Sequence, residues 1–436
     1  MKRVLVLFDL LVIAAAAIGP AFSLATVFGP MVAAGGSAAP LALVVVTAIM
    51  ATVAVGYRRL GERYPNAGSS YSWVRIAFGA RAGAYAAWVL IVANIFAIVA
   101  TAVPAGTYTL ALIAPPLAQN PLAGALVGAV WVLATGVLLN AGLRPTTRVT
   151  NVLLVAELVI LALGAFAAFI HPVVAQPATA TPFPGSAGFI GALVIGIWMI
   201  DGWEVSASTA EEAEGTSSAP GLGGLGGLGI SALLIGACMI AFLRVGTLDG
   251  FADHEADAMS YVAGQLGGPI WRVTVTVTVL ISLAAALQAT LVYLTRSFFA
   301  MGRDGVLPEA FGQLDRRAQP LFGIVVLTAL GIACTLASGL SPNVKAAFNF
   351  ILSGTSVFLG ILFMLSAAAA VRIFAGERQR RMSGVILPAI GTLSLALVLA
   401  FAFFQSDLNT RIFIIAAALG GIPLAVWRGR TWSSAN

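Results

Sequence analysis

Charge is the first thing this sequence is short of: only 9% of its 436 residues are Asp, Glu, Lys or Arg, against about 25% in an ordinary soluble domain. With 60% of the residues hydrophobic and a mean hydropathy of +0.99, too little polar surface exists to cover a core in water. Histidine and cysteine number two each. His171, His254, Cys238 and Cys334 are spread along the chain, so no metal-ligand spacing can be read from them. No nucleophile–histidine pair points to an enzyme. Both cysteines sit in apolar runs, where a thiol acts as a small hydrophobe rather than a disulfide partner. No Gly-Lys-Ser/Thr phosphate loop appears, which excludes direct drive by ATP. Residues 221–226, GLGGLG, fit Gly-x-Gly-x-x-Gly. That pattern binds dinucleotides only behind a strand, and here it is expected to be a flexible loop entering a helix. No cofactor is expected.

What the chain has instead is long apolar runs. A bilayer core is crossed by about 20 apolar residues in helical conformation, and only helices or closed barrels satisfy every backbone group there. The runs show no strand-like alternation, so the fold class is an all-α membrane protein in a lipid bilayer. Twelve spans are expected, at about 6–33, 39–58, 82–113, 122–142, 149–171, 187–209, 226–246, 269–299, 320–339, 345–372, 384–404 and 410–427. Short connections leave no room for a separate soluble domain, and 1–436 reads as one transmembrane unit. The MKR start before the first run reads as a retained helix rather than a cleaved signal peptide.

The net charge of +6 and pI near 9.7 do not indicate nucleic acid, because the arginines are scattered through inter-helix loops. With both termini cytoplasmic, twelve spans place nineteen Lys and Arg inside and four outside (Arg244, Arg272, Lys345 and Arg411). That is the positive-inside bias of a cell-membrane protein.

Two spans look internally broken. The first carries Gly19-Pro20, and the sixth carries Asp201-Gly202 ahead of an acidic end. Five spans apart, they occupy matching places in two five-helix halves, the pattern of an inverted-repeat transporter with a midplane site.

Three motifs carry a family resemblance. Residues 59–79, RLGERYPNAGSSYSWVRIAFG, residues 198–215, WMIDGWEVSASTAEEAEG, and residues 296–308, RSFFAMGRDGVLP, stand in order across most of the chain. Together they resemble the amino acid-polyamine-organocation (APC) permease superfamily. The resemblance implies two inverted repeats, at about 6–171 and 187–372, plus trailing helices at about 384–427, with helices 1 and 6 discontinuous and alternating access.

It also implies where the substrate sits. The first break would contribute Ala17, Gly19, Pro20, Ala21, Phe22 and Ser23, and the second Trp198, Asp201, Gly202 and Trp203. In the family, free N–H groups at the first break receive a substrate carboxylate. Here Pro20 removes one donor and Ala21 stands where glycine is usual, which weakens that expectation. A plain proline kink is the alternative. Asp201 falls where relatives offer a backbone carbonyl to the substrate amine, so it could hold an ammonium directly, or merely cap the break. Trp198 could cover a cation or pack.

Intramembrane acids are costly and default to a functional hypothesis. Glu204 is expected to brace the break or gate the inner path. Glu157 stands mid-span where many relatives place a lysine. Burial disfavours the charged carboxylate, so Glu157 could carry a coupling proton, face a cationic substrate, or bond a neighbouring helix. Glu211, Glu212 and Glu214 are expected to be solvated at the inner end. Gln288 and Ser353 are further candidates for lining the cavity, with Asn94, Tyr293, Asn349, Thr355 and Ser356 behind them. The expected function is secondary active transport of an amino acid or related small amine, with a proton as coupling ion and sodium as the alternative. A polyamine or biogenic-amine importer, an amine exchanger, and a non-transporting sensor on the same scaffold are the competing readings.

Overall fold

The computed structural model describes residues 3–174, 177–180, 183–255, 257–341, 343–406 and 408–433; side chains at 143–145, 180, 344–350, 352–353 and 428–433 lie outside that description. Helices account for nearly all of it: α1 (Leu7–Ile18), α2 (Pro20–Thr26), α3 (Phe28–Gly35), α4 (Ala39–Arg63), α5 (Ser69–Phe78), α6 (Ala80–Ile113), α7 (Pro121–Asn140), α8 (Leu143–Ile170), α9 (Gly185–Met199) and α10 (Val205–Ser208). They continue with α11 (Ala219–Val245), α12 (Leu248–Asp253), α13 (Ala258–Gly267), α14 (Pro269–Arg303), α15 (Leu321–Ser338), α16 (Val344–Phe374), α17 (Leu387–Gln405), α18 (Leu408–Leu419) and α19 (Gly421–Ser433). Among the described residues there is no strand; one parallel bridge joins Leu5 to Ala213.

Among the described residues, eleven helices, some of them joined end to end, are long and apolar enough to cross a membrane. α9 is apolar but only 15 residues long. It stops short because the chain unwinds after Met199, which makes it the first half of the expected sixth span. Expected and observed spans otherwise agree to within a few residues. The largest shift is at α11, which begins at Ala219 rather than near 226, and α14 runs on to Arg303, taking in half of the third motif.

The outward faces are apolar, as lipid requires. On α8, Val152, Val155, Val159 and Leu163 are exposed at helical spacing, while Glu157 on the same helix is fully buried. α1 packs between α11, α14 and α8, so the first break lies deep in the bundle.

The stretch 221–226 is no loop. It lies inside α11. Gly223 and, just beyond the stretch, Gly227 face the backbone of α1: a Cβ on Gly223 would fall 2.9 Å from the Leu10 carbonyl carbon, and one on Gly227 2.8 Å from Ala15 N. Small residues at i and i+4 let two membrane helices approach this closely, and that packing, rather than loop flexibility, accounts for the glycine-rich sequence.

Candidate functional site

The first break is a single left-handed residue. Gly19, at φ +58°, ends α1 and donates its N–H to Ala15 O at 3.1 Å. Pro20 opens α2, a position where a missing N–H costs nothing. The next two donors are taken by side chains from distant helices. Ala21 N–H donates to Glu157 Oε1 at 2.7 Å, and Phe22 N–H donates to Ser282 Oγ at 3.1 Å. Ser282 Oγ–H in turn donates to Glu157 Oε1 at 2.8 Å. One carboxylate oxygen thus closes the start of α2 directly and through a hydroxyl, which is what a charge-assisted cap does. Ser23 Oγ–H stitches the break from the other side by donating to Ile18 O at 2.8 Å.

The second break spans residues 200–204, between α9 and α10. Asp201 N–H donates to Trp198 O at 3.2 Å, and Gly202 N–H to Glu204 Oε2 at 3.1 Å. Glu204 therefore braces the turn with its own side chain. Trp198 projects across to the first break and meets Phe22 edge to face, with ring centroids 6.4 Å apart at 87°. Three side-chain atoms of this stretch are buried without a partner: Asp201 Oδ1, Trp198 Nε1 and Trp203 Nε1.

The two breaks enclose one cavity. Ala17, Phe22, Trp198, Asp201, Gly202 and Glu204 line it, and Asn94 of α6 and Thr290 of α14 close its sides. Its volume is about 20 Å³, which holds about one water.

The other expected site residues have different places. Gly19, Pro20, Ala21 and Ser23 form the first break itself. Trp203 turns away from the cavity, stacking on Phe363 (5.4 Å, 23°) and meeting Tyr57 edge-on at 4.9 Å. Gln288 accepts a hydrogen bond from Thr150 Oγ1 at 2.7 Å, between α14 and α8. Thr355 bonds back to Ile351 O, and Ser356 faces a separate groove between α3, α9 and α17. The side chains of Ser353 and Asn349 lie outside the described residues.

In the acidic run behind the second break Glu214 is exposed as expected, whereas Glu211 and Glu212 are not simply solvated. Glu212 is buried and accepts from Arg296 Nε at 3.0 Å and Nη2 at 3.4 Å, with Arg296 itself fully buried. Gln319 Oε1 takes a further bond from Arg296 at 3.2 Å. Glu211 is gripped by both terminal nitrogens of Arg303, at 2.8 and 3.0 Å, and accepts Ala67 N–H at 3.0 Å. Partial burial pushes the Glu211 carboxyl up, but the Arg303 and Ala67 bonds and the Arg303 charge outweigh it and hold the group below its ordinary range. Alongside, Asp304 pairs with Arg75 at 2.8 Å and accepts from Tyr71 OH at 2.7 Å. The main chain adds a tie: Val4 N–H and Leu5 N–H donate to Glu212 O at 2.8 and 3.1 Å, and Glu214 N–H donates to Leu5 O at 2.7 Å. Arg296 and Arg303 stand in the third motif and Glu211 and Glu212 in the second. Their presence was legible; their pairing across 84 and 92 residues was not.

Two broken helices enclosing a buried, acid-lined cavity in an apolar helical bundle define a multi-span membrane transporter. The family model described as amino acid permease matches residues 7–424, and the chain belongs to that family, within the amino acid-polyamine-organocation superfamily. It is similar to a branched-chain amino acid permease of Lactococcus lactis, 24% identical over 69% of this chain and 70% of that one. A methylthioribose transporter of Bacillus subtilis is 22% identical over 85% and 81% of the two chains. An arginine/ornithine antiporter of Latilactobacillus sakei is 25% identical over 44% and 41%.

Proposed function

We propose that this permease is a secondary active transporter of amino acids or related small amines in the cell membrane, with a proton as its coupling ion. The observation that carries the reading is Glu157: a fully buried acid, bonded to the first helix break, in a span whose outer face is apolar. An acid so placed can bind a proton in one state and release it when another state admits water. Because Glu157 caps α2, its protonation changes the bonding of the break that borders the cavity. Substrate binding and proton binding would then act on one movable element, which is what coupling requires.

The rest of the reading is alternating access. The halves at about 6–171 and 187–372 serve as inverted repeats, the helices from about 384 trail them, and both termini face the cytoplasm. The positive-inside count supports this orientation. The exchange reading draws support from the relative named as an antiporter.

Purified protein in proteoliposomes, loaded with unlabelled substrate or given an imposed pH gradient, tests the coupling. Glu157→Gln keeps an oxygen to accept from Ala21 and Ser282 but cannot exchange a proton. It is expected to retain counterflow and lose pH-driven accumulation. Equal loss of both, or uptake that demands sodium and ignores pH, would reject proton coupling through Glu157.

A further inference from the structure

The backbone donors freed where a helix breaks are the natural partners of a ligand's carboxylate. In this chain three of them are occupied by side chains. Ala21 N–H is bonded to Glu157, Phe22 N–H to Ser282 (itself bonded to Glu157), and Gly202 N–H to Glu204. The ionisable side chains bordering the cavity are Asp201 and Glu204, both acidic, and no Lys, Arg or His is among its lining. Its uncharged polar side chains also donate back to their own helices: Asn94 to Leu90 O at 2.9 Å, Thr101 to Ala97 O at 2.8 Å, and Thr290 to Ala286 O at 2.9 Å. A free carboxylate placed here would meet two acids and no cation, at a cost that like charges in a poorly solvated site make large.

The unpartnered atoms point the other way. Among the residues lining the cavity, Asp201 Oδ1 is a buried acceptor waiting for a donor, and Trp198 Nε1 is a buried neutral donor without a partner. A buried acceptor left unpaired is unfavourable until a guest satisfies it. An ammonium fits Asp201, with the Trp198 and Phe22 rings to cover it, and the indole N–H suits a neutral acceptor elsewhere on the guest.

We infer that the cavity selects amines lacking a free α-carboxylate over the corresponding amino acids. Asp201 takes the ammonium, and Glu157 is the built-in carboxylate that occupies the donors a substrate carboxylate would use. The inference rests on the transport reading above and narrows its substrate class. Glu157 is in this sense a specificity-determining residue that acts by exclusion, while the ammonium contact belongs to Asp201.

Binding to the purified full-length protein, measured with matched pairs differing only in the carboxylate, decides it: tryptamine against tryptophan, phenethylamine against phenylalanine, putrescine against ornithine. In the wild-type protein the amine of at least one pair is expected to bind about tenfold tighter or more, the worth of one charge-assisted bond. Glu157→Ala frees the Ala21 and Phe22 donors and should move the ratio about tenfold toward the amino acid. Ser282→Ala should move it the same way by less. A residue that only stabilised the fold would weaken both members together and leave the ratio fixed. If the wild-type protein binds the amino acids as tightly as the amines, the inference falls and the transport reading stands. If no member of any pair binds or is taken up, the amine reading itself falls, and this inference with it. Should Glu157→Ala fail to fold, the wild-type ratio and the Ser282→Ala shift still separate these outcomes.

Discussion

Gly202 lies against the backbone of Ala17: a Cβ added to Gly202 would fall 2.6 Å from the Ala17 carbonyl carbon and 2.8 Å from its oxygen. The two helix breaks therefore touch main chain to main chain, and Gly202 combines that contact with φ +111°. Gly19 is left-handed as well, at φ +58°, yet a Cβ there would meet only side-chain atoms, the nearest being Ser282 Oγ at 3.1 Å. Gly202→Ala should accordingly lose about 3 kcal/mol or more, and Gly19→Ala about 1–2 kcal/mol. Thermal-shift midpoints in detergent will show the order. A Gly19→Ala protein less stable than Gly202→Ala would mean that the breaks are not packed this way.

Arg296 and Glu212 form a fully desolvated pair, so removing one partner should be worse than removing both. Glu212→Gln leaves a buried guanidinium without its counter-charge, an expected loss of about 3–5 kcal/mol. The double variant Arg296→Met, Glu212→Leu leaves no charge behind and should recover much of it. Melting of the two proteins side by side is the measurement, and a double variant as unstable as the single would argue against a buried pair.

Glu211 gives a pH dependence of definite sign. Its carboxyl is held low in the folded protein by Arg303 and Ala67, so the contact is present in full above the ordinary glutamate value of about 4.3 and is lost as pH falls through the lowered one. Glu211→Gln should be less stable than wild type at pH 7, with the gap closing below about pH 4. A gap that stays constant from pH 7 to pH 3 would place the effect elsewhere.

Orientation can be tested at two exposed positions. With Cys238 and Cys334 replaced by serine, a single cysteine beside Arg378 should react with an impermeant maleimide only from the cytoplasmic side. One beside Asp253 should react only from outside. Reaction of both from one face would overturn the twelve-span topology.

Much of this architecture was legible in the sequence because lipid leaves few solutions. Apolar length fixed the spans, Gly19-Pro20 and Asp201-Gly202 marked the breaks, and the acid in NVLLVAELVILAL stood out against its apolar span. What the sequence withheld was partnership. Nothing local ties Glu157 to Ala21 or Ser282, which are 136 and 125 residues away, because those contacts follow from how α2, α8 and α14 pack. Trp203 and Trp198 have the same side chain five residues apart, and only the unwound turn between them decides which one borders the cavity. GLGGLG reads as a loop for a related reason: glycine lowers helix propensity in water, whereas between membrane helices it allows close packing of α11 on α1.

The tie between residues 4–5 and 212–214 is made by peptide groups alone, and that gives it an unusual genetic character. An alanine scan does not isolate it: the peptide groups survive truncation, and at the buried Leu5 alanine reports lost packing instead. Proline is the substitution that reads it. At Val4, Leu5 or Glu214 it deletes a donor outright, so a proline scan should mark Val4 and Glu214 where alanine does not, and should exceed the packing loss at the buried Leu5. Natural variation is subject to the same blindness. Side-chain drift at these positions leaves the contact intact, and it can persist among homologues whose sequences here share nothing recognisable.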